Sequence, residues 1–191
     1  MTRQVLFVQG GGSGAHDEWD SKLVASLTER LGAGYDVRYP LMPNEGEPRY
    51  AAWKAALIEQ IDRLDDGAIV VGHSIGAAIL INTLAEHAPK QPLGGIFILA
   101  APFIGDGGWP SDEIQPRGDL AEQLPSVPVF FYHGTADEIV PFAHLQLYAS
   151  ALPQAAARAL DGRDHQLGND LSEVAEDIRG LAAGLASIRR H

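Results

Sequence analysis

The chain has 191 residues, 46% of them hydrophobic, which is enough for one domain of ordinary size with a real core. Its 14 basic and 25 acidic residues leave a formal charge of -11, which argues against binding nucleic acid through phosphates. There is no cysteine, so disulfides, thiolate nucleophiles and cysteine zinc sites are excluded, and a reducing cytoplasm is the expected location.

The opening, MTRQVLFVQGGG, holds an apolar run too short for a signal-peptide core, and no later stretch approaches a membrane span. Residues 4–9 read as a first strand. A glycine-rich loop, QGGGSGAHDEW, follows it. Trp19, Leu23, Leu27 and Leu31 then fall at helical spacing, which predicts a helix over 18–31 capped by Asp17. A second strand spans 35–40, and a second helix, marked by Trp53, Leu57, Ile61 and Leu64, spans 49–64.

The third strand, 68–72, runs into VVGHSIG and an apolar helix over 75–88. A fourth strand spans 95–100. The connection 101–126 is too long for a plain loop; it is expected to carry a short helix near 118–124 and to form a small lid-like connection. A fifth strand spans 127–133, a helix begins near Pro141 at its first turn, and a weaker strand spans 155–160. A last helix closes the chain, with Arg189 and Arg190 suited to its negative end.

The strands are near-continuous in apolar character, as strands covered on both faces are, and they alternate with helices. The expected fold class is therefore α/β: one domain over 1–191, with about six parallel strands and helices on both faces. Functional groups should gather at the carboxyl ends of the strands.

Gly72-His73-Ser74-Ile75-Gly76 matches G-x-S-x-G between a strand and a helix. This is a strained turn that presents a Ser hydroxyl above the sheet, with a helix N-terminus behind it to favour developing negative charge. Five residues alone are equally consistent with Ser74 as a helix cap; the flanking strand and helix favour a nucleophile. Such a Ser needs a base, and the base an orienting acid, in the chain order Ser, acid, His. Asp137 follows the fifth strand and His165 the sixth. Glu138, Asp161 and Asp164 are rival acids, and His133 and His73 are rival imidazoles, read as loop support and pocket lining. The oxyanion donors are expected at the N–H groups of Ile75 and Gly11, with Gly12 as the alternative. His16, His73, Gly12, Phe103 and Trp109 are the expected substrate-binding residues; the two aromatics, with Ile104, suit a roof over the site or ordinary packing over the sheet end.

Gly10, Gly12 and Ala15 also fit the dinucleotide pattern G-x-G-x-x-A. Against it, the second strand ends in Arg38-Tyr39-Pro40 where a ribose-binding acid is expected, and the reading leaves Ser74, Asp137 and His165 without a role. No two of the seven histidines stand at an i, i+4 ligand spacing, so no metal is expected.

These residues resemble the α/β-hydrolase superfamily, and within it the small single-domain serine hydrolases of the YdeN-like group. The resemblance rests on the Gly-rich first turn with His16 and Trp19 behind it, the GHSIG turn, the acid loop from Asp137 to Pro141, and the late His165. It implies a sheet lacking the superfamily's first two strands, a Ser74–His165–Asp137 triad, and cofactor-free hydrolysis of a small ester or related acyl substrate. It also leaves room for a thioesterase or acyltransferase on the same residues, or for a protein-interaction module with idle chemistry. Two positions depart from the group's pattern: Asp164 stands before His165 where Gly is usual, and the first turn reads Gln-Gly-Gly-Gly rather than His-Gly.

Overall fold

The computed structural model describes residues 2–188; Arg189 and Arg190 lie outside them. Six strands form one parallel sheet: β1 (Arg3–Val8), β2 (Tyr35–Arg38), β3 (Ala68–His73), β4 (Leu93–Leu99), β5 (Val129–Gly134) and β6 (Ala156–Leu160). Their order is β2-β1-β3-β4-β5-β6. The chain thus winds outward in both directions from β1 and β3, and the crevice between winding directions opens at the carboxyl ends of those two strands.

The side-chain period of two explains why the strands read as unbroken apolar runs. Leu6, Val8, Val70, Ile96 and Ile98 enter the core on one face, with α2 (Tyr50–Ile61) and α3 (Ser74–Glu86). Val5, Phe7, Ile69, Val71, Phe97 and Leu99 enter the core on the other, with α1 (Ser21–Leu31) and α6 (Ser172–Ile188). Each such side chain, fully buried, contributes about 1.5–3 kcal/mol relative to exposure. Two further helices complete the set: α4 (Leu120–Gln123) and α5 (Ala143–Ala151). Among the described residues, no helix is long and apolar enough to cross a membrane.

Two elements differ from the sequence reading. The first helix does not begin at Glu18, and Asp17 does not cap it. Ala15–Asp20 forms a π-helical turn, and regular α1 starts only at Ser21. The wider turn adds residues per rotation and breaks the register of the apolar stripe. Trp19 is therefore 53% exposed, while Asp20 is turned inside with 1% exposure. The helix near Pro141 starts two residues later, at Ala143.

The 101–126 connection carries the expected short helix, but it lies against α2, α3 and α5 rather than over the strand ends. Ile104, Ile114 and Leu120 are buried in the core on that side. Phe103 N–H donates to His144 Nδ1 at 2.8 Å, and the Tyr148 hydroxyl donates to Pro102 C=O at 2.9 Å. At its middle, Glu113 accepts from Arg49 Nη1 and from Tyr50 N–H.

Candidate active site

β3 passes into α3 without a loop, so the turn must reverse direction within a residue. Ser74 takes the strain, with φ of 54°, a left-handed value rare outside glycine. Crowding explains the flanking glycines. A Cβ on Gly72 would sit 2.7 Å from Ala77 Cα, and one on Gly76 would sit 1.8 Å from the Gln9 carbonyl oxygen. The β1 loop thus lies directly on the turn. A Cβ on Gly10 would come within 3.1 Å of Ser74 Cβ, and one on Gly11 within 2.8 Å of Ile75 Cγ2.

The residues expected as nucleophile, base and acid meet in one chain of hydrogen bonds. Ser74 Oγ lies 2.9 Å from His165 Nε2, and His165 Nδ1 lies 2.8 Å from Asp137 Oδ2. Asp137 faces Nδ1 with a carboxylate, so Nδ1 carries the proton and Nε2 accepts from the Ser hydroxyl. The other oxygen, Asp137 Oδ1, closes its own loop by accepting from the N–H groups of Ile139 and Val140 at 2.8 and 2.9 Å. His133 Nε2 adds a contact to Oδ2 at 3.2 Å. Burial works against the charge of Asp137. Hydrogen bonds from His133, His165 and Val140 N–H outweigh it and hold the carboxyl well below the usual carboxylate range.

Behind this chain lies a second acid–imidazole pair. His73 and Asp20 are each about 1% exposed, and His73 Nδ1 donates to Asp20 Oδ2 at 2.9 Å. His73 Nε2 donates to the His165 carbonyl at 3.0 Å. Both ring nitrogens face acceptors only, so His73 carries both protons. Burial disfavours that charge, but Asp20 outweighs it and raises the pKa of His73; in return, against its own burial, the Asp20 carboxyl is lowered. Asp20 also accepts from Gly10 N–H at 2.7 Å and from Gln166 Nε2 at 3.3 Å. One buried pair therefore fixes the glycine loop, the strand before Ser74 and the backbone of His165.

The glycine loop is held from its far side by Glu45, which accepts from Gly14 N–H and His16 N–H, both at 2.8 Å. Gly12 N–H donates to the Glu45 carbonyl at 2.7 Å, which commits the alternative donor. Among the described residues, Gly11 N–H and Ile75 N–H have no partner in the protein.

A cleft of about 700 Å³ opens at Ser74 and His165. Gly11, Gly12 and His73 line it. Three expected substrate contacts are absent from its walls and need correction. His16 stacks on the Tyr39 ring, with centroids 4.0 Å apart. Phe103 packs edge-on against Tyr148, and Trp109 against His144, because the 101–126 connection lies on the helix side of the sheet. The walls instead include Trp19, Ile139, Glu138, Asp164 and Gln166. Sequence reasoning missed Asp20, because Trp19 holds the place on the stripe four residues before Leu23; Glu45 and Gln166 left no signal either. Among the described residues, no group of three potential ligands forms a metal site.

The model of the alpha/beta hydrolase family matches residues 5–186. The chain is similar to several solved structures. The ydeN gene product of B. subtilis is 20% identical, with a TM-score of 0.75, covering 95% of this chain and 100% of that one. The esterase domain of a Rhodothermus marinus protein is 20% identical, with a TM-score of 0.63, covering 98% and 87%. SOBER1 of Arabidopsis thaliana is 14% identical, with a TM-score of 0.67, covering 95% and 100%. No curated protein matches the chain by sequence.

Proposed function

Since the chain belongs to the alpha/beta hydrolase family, we propose that it is a serine hydrolase of carboxylesterase type that cleaves a small acyl substrate. The unbroken hydrogen-bonded chain Ser74–His165–Asp137 carries this reading. Ser74 Oγ attacks the ester carbonyl carbon while His165 Nε2 takes its proton. The oxyanion that forms is received by the N–H groups of Gly11, on the loop after β1, and of Ile75, in the first turn of α3. The intermediate collapses, His165 gives its proton to the departing alcohol, and the acyl group stays on Ser74. Water then attacks this ester, again deprotonated by His165, and the carboxylic acid leaves as the proton returns to Ser74 Oγ. Asp137, ionised throughout, fixes the tautomer of His165 and balances its charge. No step calls for a metal or cofactor. The cysteine-free composition supports a cytoplasmic setting.

The test is labelling with a fluorophosphonate, read by intact mass, on the wild type and Ser74→Ala. One adduct, lost in the variant, is expected. A folded wild type that takes no adduct overturns the reading and favours a hydrolase fold used for binding alone.

A further inference from the structure

The most exposed large apolar side chains among the described residues are Trp19, Leu41, Ile139 and Phe142. All four stand on segments that follow the carboxyl ends of β1, β2 and β5, on the side of the molecule that presents Ser74. Two of them, Trp19 at 53% and Ile139 at 60% exposure, are walls of the cleft itself. Folding does not bury them, so their apolar surface is available to whatever enters.

The charged side chains on the same walls are of one sign once internal pairing is counted. Asp20 and His73 neutralise each other. Glu138 and Asp164 remain, both exposed. Asp164 accepts a neutral N–H, that of Gly168, at 2.9 Å, and Glu138 has no ion-pair or hydrogen-bond partner among the described residues. No Lys or Arg lines the cleft. The nearest basic residue in sequence, Arg163, is turned to Glu173 and to the Asp170 carbonyl. An anion entering here leaves water for a site with two uncompensated carboxylates at the rim and ionised Asp137 behind.

We infer that the cleft selects esters whose body is apolar and carries no negative charge, with Trp19 and Ile139 holding the apolar part and Glu138 and Asp164 turning anions away. This inference rests on the serine-hydrolase reading above. It names two apolar contacts and two carboxylates as the determinants of substrate class.

Two ester pairs test it. The first varies the acyl charge on one leaving group: 4-nitrophenyl hydrogen adipate against its methyl ester. The second varies the leaving-group charge on one acyl group: 4-butyryloxybenzoate against its methyl ester. Each kcat/KM ratio is corrected for the pair's alkaline hydrolysis rates. The wild type is expected to favour the neutral member of at least one pair on the order of 10-fold at low salt. Added salt should shrink the preference. Glu138→Gln with Asp164→Asn should bring the ratio toward unity, and Glu138→Gln alone, which leaves the neighbour of His165 in place, should move it part of the way. Trp19→Ala with Ile139→Ala should raise KM for the neutral adipate ester about 10-fold.

Ratios near unity in both pairs, or ratios that the carboxylate variants leave in place, overturn the inference. Fluorophosphonate labelling of the same preparations separates the two levels. Labelled protein with unselective turnover sinks the substrate class and leaves the hydrolase standing; unlabelled protein without turnover sinks both.

Discussion

Ser74 concentrates the cost of the site in one backbone angle. A non-glycine residue at φ of 54° stores on the order of 1–3 kcal/mol, held in place by the packing of β3, α3 and the glycine loop. Ser74→Ala and Ser74→Gly should both abolish turnover, but only the glycine releases the angle. Chemical denaturation should find Ser74→Gly about 1 kcal/mol more stable than Ser74→Ala. The acid is equally specific in its demand. Asp137→Asn can still accept from Ile139 and Val140, yet it offers His165 Nδ1 no carboxylate, and the imidazole loses its reason to keep the required tautomer. A fall in kcat of about 1,000- to 10,000-fold, with KM little changed, is expected from steady-state kinetics on a neutral ester.

At the level of elements, the site depends on how closely β1 and its loop can approach α3. Gly76 is the tightest point. Gly76→Ala has to move either the helix or the Gln9 carbonyl, and equilibrium unfolding should show a loss of about 3 kcal/mol together with lost labelling of Ser74. These contacts explain why the elbow was readable from sequence. A β-branched strand, two glycines around a Ser and an apolar helix satisfy every local requirement at once. Asp137 and His165 were readable for a similar reason: a parallel sheet delivers each strand end to the same edge. The π-helical turn at Ala15–Asp20 was not, because a stripe continuing through Trp19 has the same residues as one that slips there. The pinning of 101–126 was hidden as well. Its aromatic residues suit a roof and a flank equally, and the choice is made by acceptors on α5, such as His144 Nδ1, that are remote in sequence.

Across the whole molecule, one ion pair couples the first helical turn to the last loop. Removing Asp20 takes the acceptor from three donors, His73 Nδ1, Gly10 N–H and Gln166 Nε2, and Asp20→Ala should cost about 3–5 kcal/mol. The cost should depend on pH. The lowered carboxyl of Asp20 contributes above its unfolded pKa of about 3.9 and loses that contribution as pH falls through its folded value. The raised imidazole of His73 contributes fully below its unfolded pKa of about 6.5 and loses that as pH rises through its folded value. The gap between wild type and Asp20→Ala should thus be widest between about pH 4 and 6.5 and narrow on either side, measured as denaturation midpoints across pH. The order of these residues along the chain also sets a sequence in time. Ser74 and His165 are 91 positions apart, and Asp20 and Gln166 are 146 apart. At a synthesis rate of about 5–20 residues per second, Ser74 leaves the ribosome roughly 5–18 s before His165. On the serine-hydrolase reading proposed above, a chain still being made therefore holds Ser74 without its base until the segment that carries His165 has followed the final strand.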